Sequence, residues 1–424
     1  MRMRTRSTHR RAIAVVAGAL TSALLLAGCS FDGDIEPDLP PQTTAAFADE
    51  TVQQLTDAVT HAMGVTGSSG AIVGVWAPWS GSWVAGLGTQ RPDGGGEVTD
   101  DLVFRAGKVT RAMTCDVLFE AAAEGKVKLD DSITDYVSGV PDLKDVTLIE
   151  LCDGTSGIGS YAGQLYSSWL SNPDRNWDPR YLASFGLGQP RTADPGAAYR
   201  DSDAGYVLLG LALERATEKT AAALIHDYVA DPLGLDATAL GDLPSSGMLK
   251  GGQSVNNAEG ALDCAQPLDL TTASSSSGFT DAGAITDIHD LGRYVQALAS
   301  GSLVEDDDRF NAPVAVAADA PSWYAADGGA LIAGSLIGQY GKVPGYITAA
   351  FADPTTGLTV AIVLNNSAAD AAVGEYLAWE LAAIASKTPA TAGETAPEAG
   401  LPWTAEQYHA AIDTLAVCTP PASE

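Results

Sequence analysis

The sequence predicts an α/β protein of the α+β type: an antiparallel sheet flanked by terminal helices, with an all-α lobe inserted between them. Strand-like runs gather at both ends of the chain while helical spacing fills the middle, so strands distant in sequence must share one sheet. The body from 46 to 386 is long enough to bury a large core. No internal repeat interrupts it.

Residues 1–28 carry Arg2, Arg4, Arg6, Arg10 and Arg11, then an apolar run from Ala12 to Leu26. Leu26-Ala27-Gly28-Cys29 follows, a small-residue cleavage site ending in cysteine. The apolar run is short for a membrane span. The segment is similar to a bacterial lipoprotein signal, which implies lipidation at Cys29 and an extracytoplasmic chain lipid-anchored to the cell membrane. The formal net charge is −30. Such acidity argues against nucleic acid and against adhesion to anionic lipid head groups, so lipid must supply the membrane attachment.

Residues 29–45 contain Asp34-Ile35-Glu36-Pro37-Asp38-Leu39-Pro40-Pro41 and lack apolar periodicity, which predicts an extended tether. Val52, Leu55, Val59 and Met63 predict a helix over 51–63. Residues 71–76 and 82–87 read as strands joined by a turn, and Gly94-Gly95-Gly96 as a loop. Helices are predicted over 112–124, 147–151, 206–217, 221–230 and 287–299, giving a helical lobe from about 112 to 300. Residues 243–277, rich in Gly, Ser and Asn, read as a long loop. Runs 330–338, 347–352 and 358–364 read as successive antiparallel strands, with Asp353-Pro354-Thr355-Thr356-Gly357 as a turn. A helix over 369–386, a linker over 387–404, and a small terminal helix and tail over 405–424 complete the chain.

Phe104-Arg105-Ala106-Gly107-Lys108-Val109-Thr110-Arg111-Ala112-Met113-Thr114 resembles F-R-x-G-S-x-x-K-x-x-T of penicillin-recognising enzymes, whose i, i+3 spacing sets a lysine beside a nucleophilic serine. In the same order come Leu118-Phe119-Glu120, Glu124 to Asp131, Tyr136-Val137, Thr147 to Ile158, Pro195-Gly196, Gly205 to Gly210, Pro232 to Leu235 and Pro344-Gly345-Tyr346. The ordered set resembles the serine β-lactamase-like superfamily, in its class C β-lactamase, D-Ala-D-Ala carboxypeptidase and esterase branch. That resemblance implies a β-lactamase/transpeptidase-like fold with no cofactor.

The motif positions are degenerate. Lys108 stands for the nucleophile and Arg111 for the base, and a guanidinium accepts no proton at physiological pH. The family's Y-x-N falls, without gaps, on Asp201-Ser202-Asp203; Tyr199-Arg200-Asp201 would keep a tyrosine at the expense of a two-residue insertion. The H-x-G or K-T-G motif falls on Gln339-Tyr340-Gly341, with Lys342 next as a partial substitute for the lost cation. Backbone N–H groups of Lys108 and Lys342 would supply the oxyanion-hole positions. Together these residues outline a ligand cleft to which no catalytic residue is assigned, and Lys108 and Arg111 are expected to form an ion-pair network with Asp201 and Asp203.

Three functions follow as expectations: an inactive envelope binding or regulatory module, a hydrolase with a site rebuilt for instance around Ser202, or a structural subunit of an envelope complex. The expected partner is a peptidoglycan stem peptide or an envelope protein. Cys115, Cys152, Cys264 and Cys418 are an even set in an exported chain, which favours disulfides. The resemblance places Cys115 and Cys152 on neighbouring helices, implying the pairs Cys115–Cys152 and Cys264–Cys418. Thr110, Thr114, Ser156 and Ser274 to Ser277 read as packing, turn and loop residues. No metal site is expected: His9 lies in the signal, and His61, His226, His289 and His409 read as surface or packing residues.

Overall fold

The computed structural model describes residues 34–241, 243–304, 309–397 and 400–418. Cys29 and the signal lie outside them. The first half comprises α1 (Asp49–Thr66), β1 (Gly70–Ala77), β2 (Gly81–Arg91), β3 (Gly94–Glu97), β4 (Phe104–Arg105), α2 (Val109–Ala123), α3 (Leu148–Cys152), α4 (Ala162–Ser171), α5 (Pro179–Leu187) and α6 (Asp203–Thr217). Next come α7 (Ala221–Ile225), α8 (Asp231–Leu233), β5 (Ala239–Leu240), β6 (Gly252–Asn256), β7 (Leu262–Asp269), α9 (Phe279–Ala282), β8 (Ala284–Thr286) and α10 (Ile288–Ser300). The chain returns through β9 (Val314–Ala315), β10 (Tyr324–Asp327), β11 (Ala330–Ala333), β12 (Leu336–Val343), β13 (Tyr346–Ala352), β14 (Thr359–Leu364), α11 (Ala372–Ala385) and α12 (Ala405–Asp413).

Nine strands form one antiparallel sheet in the order β3-β2-β1-β14-β13-β12-β11-β10-β9. The two ends of the chain meet where β1 pairs with β14, Ala71 opposite Leu364 and Trp76 opposite Thr359. Alternation along the strands divides two cores. Ala71, Val73, Val75, Val360, Ile362 and Leu364 face α1, α11 and α12; Ile72, Ala361 and Val363 face the helical lobe. Within that lobe α2 is buried on 12 of its 15 residues, so it has no solvent stripe and runs through the centre.

Several expectations change. Gly94–Glu97 is a strand because it extends the β2 hairpin, although three glycines suggested a loop. Residues 243–277 contain the β6–β7 hairpin and a 3-10 turn over Ser275–Ser277 capped by Ser274. The run 330–338 is two strands turning at Gly334, whose φ is 61°. The part of the tether from 34 to 45 is extended but held to the body: Ile35 N–H donates to Pro232 O at 2.7 Å and Arg293 pairs with Glu36 at 3.0 Å. The linker is also docked, Trp79 Nε1–H donating to Thr388 O at 3.1 Å and Trp403 Nε1–H to Trp379 O at 3.0 Å. The disulfides are Cys115–Cys152, joining α2 to α3 with Cα atoms 5.6 Å apart, and Cys264–Cys418, with Cα atoms 6.1 Å apart. No helix of the described residues is long and apolar enough to cross a membrane.

Candidate functional site

A cleft of about 320 Å³ opens where the start of α2, the segment before α6, β12 and the start of α11 converge. Gly107, at φ 58°, turns the chain out of β4 and into α2, a conformation that glycine adopts without Cβ strain. The turn brings Lys108 and then Arg111 to the cleft floor. Both are cations in or beside a helix first turn that contains no acid, against the helix dipole.

Asp201 answers both. Its Oδ2 accepts from Lys108 Nζ at 2.5 Å, and its Oδ1 lies 2.8 Å from Arg111 Nη2 in an ion-pair contact that is not an aligned hydrogen bond. Arg111 is 1% exposed and is further held by Asp281, which accepts from Nε at 2.7 Å, and by the Tyr206 ring 4.6 Å from its guanidinium carbon. Burial alone would lower the Arg111 pKa, but Asp201 and Asp281 together raise it well above its ordinary value. Asp201 is recessed yet half open to solvent; that recess pushes its pKa up, and Arg111 and Lys108 outweigh it to hold the carboxyl well below the usual range. Burial lifts the Asp281 pKa to about 6, and Arg111 beside it opposes that rise. The floor is therefore a closed charge cluster with no hydroxyl nucleophile and no proton acceptor of a lysine kind.

Asp203 is not in this network. Its carboxylate accepts from Ser160 Oγ at 2.6 Å and from the backbone N–H groups of Tyr161, Ala162 and Ala204 at 2.6–2.8 Å, so it satisfies the start of α4. Ser202 is the N-cap of α6: its Oγ accepts from Gly205 N–H at 3.0 Å and donates to Gly159 O at 3.1 Å. At 2% exposure it is a structural cap and not a nucleophile in the cleft. Tyr199 and Asp201 are the two residues of this segment that line the cleft. The N-cap geometry turns Asp203 away, so the expected ion-pair network forms with Asp201 and without Asp203.

Gln339, Tyr340 and Gly341 line the opposite wall. β11 pairs with β12 only as far as Gly338, so the edge of β12 beyond it faces the cleft without a strand on that side. Gln339 is buried and donates through Nε2 to Gly329 O at 3.3 Å. Lys342 does not replace the missing cation: its Nζ donates to Ala369 O at 2.8 Å and does not line the cavity. A Cβ at Gly341 would lie 2.6 Å from Lys108 Cγ, so this glycine makes the room through which the Lys108 stem crosses the floor.

Behind the wall sits a group that sequence reasoning missed. Glu375 of α11 is 3% exposed and accepts from Tyr324 Oη and Tyr340 Oη, and burial pushes its pKa up to about 8. An acid followed by aromatic and apolar residues in a predicted helix gave no signal of its inward direction. Thr110 and Thr114 are packing residues as expected, Thr114 Oγ1 donating to Thr280 O at 2.7 Å.

The comparisons agree with this architecture. The model of the Beta-lactamase family matches residues 48–383. The D-alanyl-D-alanine-carboxypeptidase/endopeptidase AmpH of Escherichia coli K12 is 26% identical over 212 residues, 47% of this chain and 51% of that protein. Esterase EstB of Burkholderia gladioli is 31% identical over 160 residues, 34% and 40% of the two chains. The chain thus spans about half, or less, of the length of these curated relatives. Among solved structures, the D-amino acid amidase from Ochrobactrum anthropi SV3 with D-phenylalanine aligns at TM-score 0.64 and 20% identity over 78% of this chain and all of that one. The octameric penicillin-binding protein homologue from Pyrococcus abyssi aligns at TM-score 0.64 and 20% identity, covering 77% and 75%. With its fold matched and the family model covering most of its length, the chain belongs to the β-lactamase family.

Proposed function

We propose that this β-lactamase-family chain is an exported, lipid-anchored envelope module that binds its ligand without covalent turnover. The observation that carries the reading is Asp201, which joins Lys108 and Arg111 across the floor where a nucleophile and its base would stand. Lys108 is an amine, but its ammonium is held by a carboxylate, and Arg111 cannot relieve it of a proton. Acyl transfer needs both a free lone pair and somewhere for its proton to go. The open edge of β12 and the phenol of Tyr199 supply hydrogen-bonding groups for an extended peptide. AmpH and the D-amino acid amidase carry D-amino-acid chemistry in their names, which favours a peptide ending in D-alanine as ligand.

The test incubates the purified mature chain with a tagged penicillin and, separately, with a D-Ala-D-Ala-terminated stem pentapeptide. Intact mass should show no penicillin adduct and no released D-alanine, while calorimetry shows saturable pentapeptide binding. A stoichiometric adduct or turnover would replace this reading with a hydrolase. Absence of any pentapeptide binding would leave the structural-subunit reading.

A further inference from the structure

On the face of the sheet opposite the helical lobe, residues separated by hundreds of positions converge. His61 of α1 and His409 of α12 stack with ring centroids 3.9 Å apart and planes at 19°, and Glu380 of α11 lies beside them. His61 Nε2 is 2.8 Å from Asp413 Oδ1, and His409 Nδ1 is 2.8 Å from Glu380 Oε1.

Two polar atoms here have no partner. His61 Nδ1 and Glu380 Oε2 are both buried without a hydrogen bond, and the Glu380 side chain is only 4% exposed. A buried polar atom left unmatched forfeits its hydration with nothing in return, which points to a missing partner. In a neutral His61 the Asp413 carboxylate fixes the proton on Nε2, which leaves Nδ1 as a bare lone pair. A carboxylate behind one imidazole nitrogen, orienting the other inward, is how metal-binding histidines are commonly held.

We propose that His61, Glu380 and His409 bind one divalent transition-metal ion of the zinc class, with Asp413 orienting His61, and that the ion clamps α12 to α1 and α11. One ligand atom from each of the three residues lies within 4.8 Å of the others. Tetrahedral zinc with bonds of about 2.0–2.1 Å sets its ligands about 3.4 Å apart, so modest side-chain rotations close the site. Two imidazoles with one carboxylate suit zinc, cobalt or nickel and not calcium or magnesium, which take oxygen ligands. A cavity of about 610 Å³ leads to the cluster, and Glu50, Glu406 and Asp413 line it, so the approach is acidic and favours cations. A fourth position remains for water.

The test uses the full, untagged chain stripped of metal and titrated with Zn²⁺ by calorimetry, and with Co²⁺ in the visible range. Expected are one ion per chain, Kd below about 10 μM, four-coordinate Co²⁺ bands, and slower hydrogen exchange in residues 405–413 when Zn²⁺ is present. Glu380→Gln and His409→Ala should each weaken binding more than about tenfold, and Asp413→Asn, which keeps all three ligands, about 10–100-fold. His226→Ala, remote and exposed, should leave it unchanged. No saturable binding by about 200 μM Zn²⁺, or affinity in the folded Glu380→Gln and Asp413→Asn variants equal to that of the unaltered chain, would overturn the proposal.

Discussion

Asp201 Oδ1 stands 2.8 Å from Arg111 Nη2 while the other oxygen of the same carboxylate receives the Lys108 ammonium at 2.5 Å. One acid thus ties together the two residues that replace a nucleophile and a base. Arg111 is inaccessible and Asp281 closes its far side, so the cluster is buried at Arg111 and meets solvent through Asp201 and Lys108.

The two acids should differ in weight. Asp281→Asn removes a carboxylate that is 6% exposed from a buried guanidinium, and is expected to cost about 3 kcal/mol. Asp201→Asn leaves Lys108 to the solvent and Arg111 to Asp281, and is expected to cost about 1 kcal/mol. Urea unfolding at pH 7 measures both. The reverse order would mean that Asp201, not Asp281, neutralises Arg111.

Restoring a hydroxyl should not restore chemistry. Lys108→Ser places a serine at the helix start, but Arg111 remains protonated and held by Asp281, so the hydroxyl has no base. Penicillin incubation followed by intact-mass measurement is expected to show no adduct. An acylated Ser at 108 would show that another group, Tyr199 foremost, serves as the proton acceptor.

Glu375 should give the protein an alkaline limb of instability. Its pKa is raised from 4.5 to about 8 in the folded chain, so folding favours the protonated acid. That contribution is present below about pH 4.5 and is lost as pH rises through about 8. At one pKa unit per about 1.4 kcal/mol the effect is on the order of a few kcal/mol. Glu375→Gln resembles the neutral acid, and should flatten the stability profile between pH 5 and 9 relative to the unaltered chain. Parallel profiles in chemical denaturation would count against a protonated Glu375. Asp201 acts in the opposite sense, its depressed pKa supporting the fold above the ordinary carboxylate range and losing that support under acid.

Gly341 is expected to be intolerant of even one methyl group. A Cβ there would fall 2.6 Å from Lys108 Cγ and 2.8 Å from its Cβ, near the root of the side chain where rotation gives little relief. Gly341→Ala should cost about 1–3 kcal/mol by overpacking. Adding Lys108→Ala should recover part of that loss, a non-additivity that thermal unfolding of the three variants would read. Strict additivity would indicate that the strain lies in β12 itself.

The sheet, the helical lobe and the altered α2 start were legible because each is written in short-range pattern. Short apolar runs bounded by turn residues mark β1, β13 and β14; an i, i+3 spacing stacks Lys108 under Arg111 whatever surrounds them. Both disulfide pairs followed from the order of motifs that the resemblance supplied. Direction was not legible. Asp201 and Asp203 look equivalent in sequence, yet Ser202 between them caps α6, and that cap sends Asp203 to the start of α4 and Asp201 to the cleft. Asp281, Glu375 and the His61–Glu380–His409 cluster were missed for a related reason: the partners sit on separate elements, from 29 to 352 residues apart. Local periodicity determines which face a helix buries, whereas which charged group meets which across that face depends on how whole layers dock, and only the tertiary structure decides it.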